Sequence, residues 1–151
     1  MSARERIFLD TSALFAGIWS ATGGARLLLK LGEAGAIQLI ASSQVLSEIE
    51  HVIRRKAPEL LVMMALVLER TQIEITSQVN PEFLERCEVL LEHPGDRRVL
   101  AEAWTAGIDF FVTFDQEHFL SNSKLCNIVP FRIGSAGDCI SWLGASFRDN
   151  R

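Results

Sequence analysis

The 151-residue sequence is poor in the residues that build disulfide frameworks and zinc sites. Its three cysteines are odd in number and form no CxxC motif: Cys87, Cys126 and Cys139. The three histidines are scattered, without an HExxH motif or a cysteine–histidine cluster. These absences argue against a disulfide-stapled fold and against a zinc hydrolase, and they point to a reducing cytosol.

Long hydrophobic runs are also missing. The apolar stretch Ile7–Leu9 near the N-terminus is too short for the core of a signal peptide. The longest apolar run, Leu60–Leu68, is far below the roughly 20 residues that cross a bilayer. We therefore expect a cytoplasmic protein with no membrane segment.

Positive charge is scarce for a nucleic-acid-binding protein. The formal net charge is −4, whereas such proteins usually present a basic face. Two basic clusters remain, Arg54–Lys56 and Arg97-Arg98. The overall charge lowers the expectation of nucleic-acid binding without excluding it, because a cluster of acids at a metal site would supply part of the negative charge.

What is present is an alternation of short apolar runs and helical patterns, typical of a parallel sheet covered by helices. With 48% hydrophobic residues and no repeat or linker, we expect one domain over 1–151. Strands are predicted near 6–10, 37–41, 73–76, 110–113 and 127–131. Helices are predicted over 12–20, 24–34, 43–56, 58–70, 81–92, 96–106, 116–122 and 136–144. The predicted class is α/β, a three-layer α/β/α fold with four or five parallel strands.

The helix over 58–70 is apolar almost all round. Such a helix is buried, either in the core of its own domain or against another chain. The sequence leaves both alternatives open.

Four acidic residues fall where an open α/β sheet would bring them together. Asp10 and Asp115 follow predicted strands, and ligand crevices form at the carboxyl ends of such strands. Asp96 shares a helix side with Val99 and Leu100. Carboxylates in one crevice repel each other and require a counter-charge, usually a divalent metal ion.

The fourth acid is ambiguous, and the others have simpler explanations. Glu48 and Glu50 lie at opposite edges of the apolar arc of the helix over 43–56, so periodicity does not choose between them.

Asp10, Asp96 and Asp115 are each also explained as N-caps of the helices that follow them.

Four motifs, taken in order, resemble the PIN-domain family. The first is the strand-to-acid motif Ile7–Ser12, and the second is the helix start Ser43–Glu48. The third and fourth are Asp96–Ala103 and Phe111–Asp115. Each motif alone is weak, but the ordered set covers almost the whole chain and is fairly specific. The resemblance selects Glu48 over Glu50.

The resemblance implies a metal-dependent ribonuclease. Asp10, Glu48, Asp96 and Asp115 would be the catalytic acids and would bind Mg²⁺ or Mn²⁺, which prefer such hard oxygen ligands. Many PIN sequences carry an Asp two residues after the fourth acid, and here Glu117 stands there as a further candidate ligand.

Further roles are expected around these acids. The hydroxyls of Ser12 and Thr113 are candidate contacts to metal-bound water or phosphate, and Trp19 is a candidate stacking surface for a base. Candidate RNA contacts are Arg54, Arg55, Arg97 and Arg98. Small members of the family resemble the VapC toxins, which implies an RNA substrate, a homodimer and an antitoxin partner.

Two alternatives stay open. A phosphotransfer domain would use Asp10 as nucleophile, but Ser12 stands where the haloacid-dehalogenase pattern has a second Asp. A PIN-like module that binds nucleic acid or protein without catalysis is the other. Metal-dependent turnover separates it from the nuclease.

Overall fold

The computed structural model describes residues 3–149, and its centre is a five-stranded parallel sheet. The strands are β1 (Arg6–Leu9), β2 (Gln38–Ser42), β3 (Glu74–Thr76), β4 (Phe110–Val112) and β5 (Arg132–Gly134). They are arranged in the order β3-β2-β1-β4-β5, with every neighbouring pair parallel. The central strands carry continuous buried apolar runs, Ile7–Leu9 in β1 and Phe110–Val112 in β4, because both faces of the sheet are covered.

Helices cover both faces of the sheet. They are α1 (Thr11–Trp19), α2 (Gly24–Glu33), α3 (Ser43–Lys56), α4 (Leu61–Thr71), α5 (Pro81–Leu90), α6 (Pro94–Ala106), α7 (Ser123–Ile128) and α8 (Ala136–Asp149). A 3₁₀ turn (Pro58–Leu60) and a π-helical turn (Gln116–Leu120) lie between them. Helix α2 contacts α1, α4 and α8, while α5 packs against α6. Crossovers between parallel strands are right-handed as a rule, and the direction across the sheet reverses between β3 and β4, so these two groups lie on opposite faces. The predicted three-layer fold is confirmed.

Several helix boundaries follow from local capping. The Asn80 side chain accepts a hydrogen bond from the backbone N–H of Glu82, and Pro81 begins α5. Ser135 and Asp138 exchange side-chain-to-backbone hydrogen bonds at the start of α8, as in a capping box. Gly107 ends α6 with φ 72°, a left-handed conformation that glycine adopts without strain.

The predicted strand over 127–131 is wrong. The Asn122 side chain caps the start of α7 by accepting a hydrogen bond from the N–H of Leu125. This helix extends to Ile128 and therefore occupies the first part of the predicted strand. The chain then passes Pro130, and sheet pairing begins only at Arg132. Val129 and Phe131 are buried although they lie in a connecting segment, which is why this run resembles a strand.

Helix α4 buries only one side. Met64 and Val67 face the core, whereas Val62 is 69% exposed and Met63 is partly exposed. Helix α4 therefore has more apolar surface than the core of this chain buries. Over residues 3–149, no helix is both long enough and apolar enough to cross a bilayer.

Candidate active site

The candidate site lies where the order of the strands reverses. The chain runs outward from β1 to β3 and then returns to β4 beside β1, so a crevice opens at the carboxyl ends of these two strands. Asp10 directly follows β1, and its N–H donates to the carbonyl of Val112 at the end of β4. A cavity of about 310 Å³ opens here. Its lining includes all four predicted acids, Asp10, Glu48, Asp96 and Asp115.

Asp10 is buried at the base of the cavity, with 7% of its surface exposed. Its Oδ1 accepts hydrogen bonds from the Ser12 hydroxyl (2.7 Å) and the Ala13 N–H (2.9 Å), and its Oδ2 accepts from the Thr113 hydroxyl. Burial raises the pKa of Asp10 above its ordinary value despite these hydrogen bonds, and the charge of Asp115 raises it further. Asp10 therefore caps α1 and also lines the site.

The hydroxyls of Ser12 and Thr113 hold the two acid-bearing loops together. Besides donating to Asp10, Ser12 Oγ accepts from the N–H of Phe114 at 3.0 Å. Thr113 Oγ1 accepts from the N–H of Asp115, also at 3.0 Å. In the structure, both predicted hydroxyls thus lie in the site and contact Asp10 directly.

Glu48 reaches the cavity from α3. Its Oε2 accepts a 2.7 Å hydrogen bond from the Thr11 hydroxyl, and its Oε1 accepts a weaker 3.2 Å bond from Gln44. Glu50 lies at the other edge of the helix and pairs with Arg54 at 2.9 Å. Glu48 is thus the acid of this helix that lies at the site.

Asp96 lies in the first turn of α6 rather than at its cap. The helix begins at Pro94, and His93 occupies the cap position without a capping side-chain bond. Desolvation raises the pKa of Asp96; the charges of Asp115 and Glu48 act in the same direction, and His118 opposes them. The N-cap explanation fails for this acid. It holds for Asp115, whose Oδ1 accepts from the N–H of His118.

His118 was missed in the sequence analysis. Its Nδ1 lies 2.9 Å from Asp115 Oδ2 and 3.2 Å from Asp96 Oδ2, and its ring lies 4.7 Å from that of His93. Desolvation lowers the pKa of His118, but the hydrogen bond and charge of Asp115, with Asp96 and Glu117, outweigh it and raise the pKa. The only sequence signal was the spacing of three residues after Asp115.

The donor set fits a divalent cation. Asp96, Asp115 and His118 each place one ligand atom within 4.8 Å of the others. Across residues 3–149, no Lys or Arg lies within ion-pair distance of the four acids. Carboxylates gathered without such partners require another source of positive charge.

Glu117 lies outside this group of three. It is exposed and lines a neighbouring cavity of about 280 Å³, together with His93 and His118. Asp96 lines both cavities, so Glu117 lies near the candidate metal ligands without lining the first cavity.

The predicted RNA-contacting arginines are mostly engaged locally. Arg54 pairs with Glu50, and Arg97 donates to the carbonyl of Leu91 at 2.6 Å. Arg98 Nε lies 3.4 Å from Oε1 of the buried Glu102. In the part of the chain that the structure describes, Arg55 is exposed and makes no ion pair.

Comparison with known families assigns this fold. The family model described as a PIN domain matches residues 6–117, which include all four acids. The chain belongs to the PIN-domain family. This membership argues against the phosphotransfer alternative. No curated protein matches the sequence.

Solved structures share the PIN fold at low sequence identity. VapBC2 of Rickettsia felis, bound to a DNA fragment from its promoter, is 17% identical, with a TM-score of 0.64. DNA-bound VapBC of Salmonella typhimurium is 18% identical, with a TM-score of 0.63. The alignments cover 86% and 87% of this chain and 97% and 98% of those chains. VapC20 of Mycobacterium tuberculosis, a toxin that cleaves the sarcin-ricin loop, is 20% identical with a TM-score of 0.50, covering 74% and 91%.

Proposed function

We propose that this PIN domain is a cytoplasmic, metal-dependent endoribonuclease and the toxin of a toxin–antitoxin pair. The observation that carries the proposal is the convergence of Asp10, Glu48, Asp96 and Asp115 on one cavity without a Lys or Arg partner among residues 3–149. The fold shared with VapC20, a toxin that cleaves RNA of the sarcin-ricin loop, supports RNA as the substrate.

The proposed mechanism divides three tasks among the four acids. A bound Mg²⁺ or Mn²⁺ would lower the pKa of water and neutralise charge at the scissile phosphate. Asp96 and Asp115 are the acids that would hold it, because their Oδ2 atoms both approach one point beside His118. No nucleophilic side chain is needed.

Asp10 and Glu48 act differently from these ligands. Asp10 accepts three hydrogen bonds, so it is a fixed negative charge at the base of the cavity. Glu48 is exposed, and its Oε1 makes only the 3.2 Å contact with Gln44. Oε1 of Glu48 is therefore the atom we assign to accept a proton from the attacking water.

Exposed aromatic rings beside the acids would bind unpaired bases. Phe15 lines the cavity, and Trp19, 60% exposed, stacks on it with ring centroids 5.8 Å apart. Phe114, 43% exposed, precedes Asp115. Bases stack on such rings without regard to sequence, which fits single-stranded or loop RNA better than a duplex. Of the four arginines predicted to contact RNA, Arg55 is exposed and makes no ion pair among residues 3–149, so it is the one we assign to phosphate contacts.

A protein partner fits the surplus apolar surface. Val62 and Met63 on α4 are exposed without serving the core. The VapBC complexes with the same fold support an antitoxin as one partner. A second copy of this chain is the other partner we propose.

The test is cleavage of an RNA panel with Mg²⁺ or Mn²⁺ against EDTA. We expect cutting only with metal, abolished in Asp96→Asn and Asp10→Asn and lowered at least 100-fold in Glu48→Gln. Glu50→Gln is the matched control, because Glu50 lies on the same helix but pairs with Arg54 in solvent, and it should retain activity.

The contrary outcomes are equally specific. Undiminished cutting in both Asp variants would reject the four-acid site. Failure to cut any RNA, with RNA binding retained, would favour the alternative of a binding module without catalysis.

A further inference from the structure

His118 lies among the groups that would hold the metal, although the family resemblance places only carboxylates there. It belongs to the π-helical turn after Asp115, and its backbone N–H donates to Asp115 Oδ1. That bond holds the backbone of His118 beside the carboxylate of Asp115. The ring nitrogen Nδ1 lies beside two carboxylate oxygens.

We propose that His118 Nδ1 is a ligand of the metal ion, so that this PIN site is a mixed nitrogen–oxygen site selective for first-row transition ions over Mg²⁺. The inference rests on the proposed metal-dependent function and concerns which ion serves it.

The distances have the size that a shared ion requires. Two ligand atoms each about 2.1 Å from one ion, at right angles, lie about 3.0 Å apart. Nδ1 of His118 lies 2.9 Å from Asp115 Oδ2 and 3.2 Å from Asp96 Oδ2. Both of these separations match neighbouring positions in an octahedral shell, and all three residues offer ligand atoms within 4.8 Å of one another.

Among residues 3–149, the two oxygens have no side-chain partner other than His118. Asp115 uses Oδ1 for its capping bond and leaves Oδ2 to His118 alone. Among residues 3–149, no other side chain or backbone N–H donates to the carboxylate of Asp96. The three ligand atoms therefore contact one another and no other side chain among residues 3–149, and they lie on a helix start and a short turn.

The chemistry of the donors determines the ion. Mg²⁺ takes oxygen ligands and retains water, whereas imidazole suits transition ions, whose affinity rises from Mn²⁺ through Fe²⁺ and Co²⁺. An imidazole in place of one oxygen therefore favours these ions. Mn²⁺, the weakest of them in this order, is the most stringent probe.

The first measurement uses pulsed electron paramagnetic resonance of Mn²⁺ bound to the full-length, EDTA-treated protein. We expect a ¹⁴N coupling that changes to a ¹⁵N pattern when the protein is made with ¹⁵N-histidine. The coupling should vanish in His118→Gln and persist in His93→Gln and in His51→Gln, a distant exposed histidine on α3. The isotope experiment needs no variant, so it stands even if His118→Gln folds poorly.

The second measurement compares binding constants by calorimetry. We expect the wild type to bind Mn²⁺ at least tenfold more tightly than Mg²⁺, and His118→Gln to lose about tenfold in Mn²⁺ affinity. Mg²⁺ affinity should change by less than about twofold, because that ion gains little from the imidazole.

The outcomes separate this inference from the proposed function. Bound Mn²⁺ without histidine coupling, with metal-dependent cleavage intact, would overturn the nitrogen ligand and leave the nuclease standing. Coupling assigned to His93 would also overturn it. No Mn²⁺ binding at all would overturn the inference, and metal-independent or absent cleavage would count against the proposed function itself.

Discussion

The hydroxyl of Thr11 donates a 2.7 Å hydrogen bond to Oε2 of Glu48. The residue directly after the first acid thus orients the second acid, which belongs to another helix. Glu50, on the same helix, lies beyond the reach of this bond and pairs with Arg54. The contact gives the Thr of the N-terminal motif a physical role, because it couples the start of α1 to α3 across the cavity.

Replacing Thr11 with Val should impair catalysis more than folding. Without the hydroxyl, Glu48 keeps only its weak bond from Gln44, and we expect kcat to fall about tenfold, equivalent to about 1.4 kcal/mol. Thr22→Val, at an exposed loop position, is the matched control and should retain full activity. Single-turnover cleavage checks the prediction, and equal rates for the two variants would contradict it.

Replacing Trp19 with Ala should weaken RNA binding. Loss of one stacked base costs about 1–3 kcal/mol, so we expect the Kd to rise about 5- to 100-fold. Fluorescence anisotropy with single-stranded RNA, in an Asp96→Asn background, measures binding without cleavage.

Phe147→Ala is the control for Trp19→Ala. Phe147 is also an exposed aromatic residue. The hydroxyl of the neighbouring Ser146 donates a hydrogen bond to the side chain of Glu5, which precedes β1. Phe147 therefore lies near the amino ends of the strands, whereas the acids lie at the carboxyl ends. It should leave RNA affinity unchanged. An equal loss in both variants would show that exposed aromatics in general bind the RNA, rather than a surface beside the acids.

Local signals made much of the fold predictable. The apolar runs of β1, β2 and β4 are continuous because both faces are buried, and caps such as Asn80 and Gly107 mark helix ends. The strand predicted at 127–131 is wrong because burial there is not accompanied by pairing in the sheet. Val129 and Phe131 are buried without being paired in the sheet, so composition there reports burial rather than conformation.

The site was predictable only in part, because its remaining features depend on contacts between distant segments. Periodicity could not separate Glu48 from Glu50, since the deciding contact comes from Thr11, 37 residues away. His118 approaches Asp96 only because the start of α6 lies beside the π-helical turn. No pattern local to either segment contains that information.

Asp96→Asn should stabilise the metal-free protein and weaken its response to metal. Because desolvation and the nearby acids raise the pKa of Asp96 above 3.8, its charged form is disfavoured in the folded state. The free energy of unfolding therefore falls as pH rises from 3.8 through the raised pKa, and at neutral pH the cost is fully present.

Thermal melts at pH 7 in EDTA and in Mn²⁺ check this. We expect a higher Tm for Asp96→Asn than for the wild type in EDTA. With Mn²⁺ at about 100 times its Kd, the wild type should gain about 2.7 kcal/mol and the variant much less. Glu50→Gln should respond to Mn²⁺ like the wild type. A lower Tm for Asp96→Asn in EDTA would contradict the repulsion that we infer.

The buried carboxylate of Glu102, outside the site, also lowers the free energy of unfolding when it is charged. It is 1% exposed, and among residues 3–149 neither carboxylate oxygen has a well-formed hydrogen bond and Arg98, at 3.4 Å, is the one ion-pair partner. Burial raises its pKa above the ordinary 4.5, and Arg98 only partly opposes the shift. Stability contributed by a protonated Glu102 is thus present at low pH and lost as pH rises from 4.5 through the raised pKa.

Glu102→Met should therefore raise the free energy of unfolding at pH 7 by about 1 kcal/mol, with a smaller gain at pH 5. Arg98→Met should lower it by about 1–2 kcal/mol, because the buried charge then loses its partner. Arg54→Met is the control: it breaks a solvent-exposed pair with Glu50 and should cost under about 0.5 kcal/mol. Urea denaturation at both pH values measures all three. If Arg98→Met instead left stability unchanged and weakened RNA binding, Arg98 would serve the substrate rather than the core.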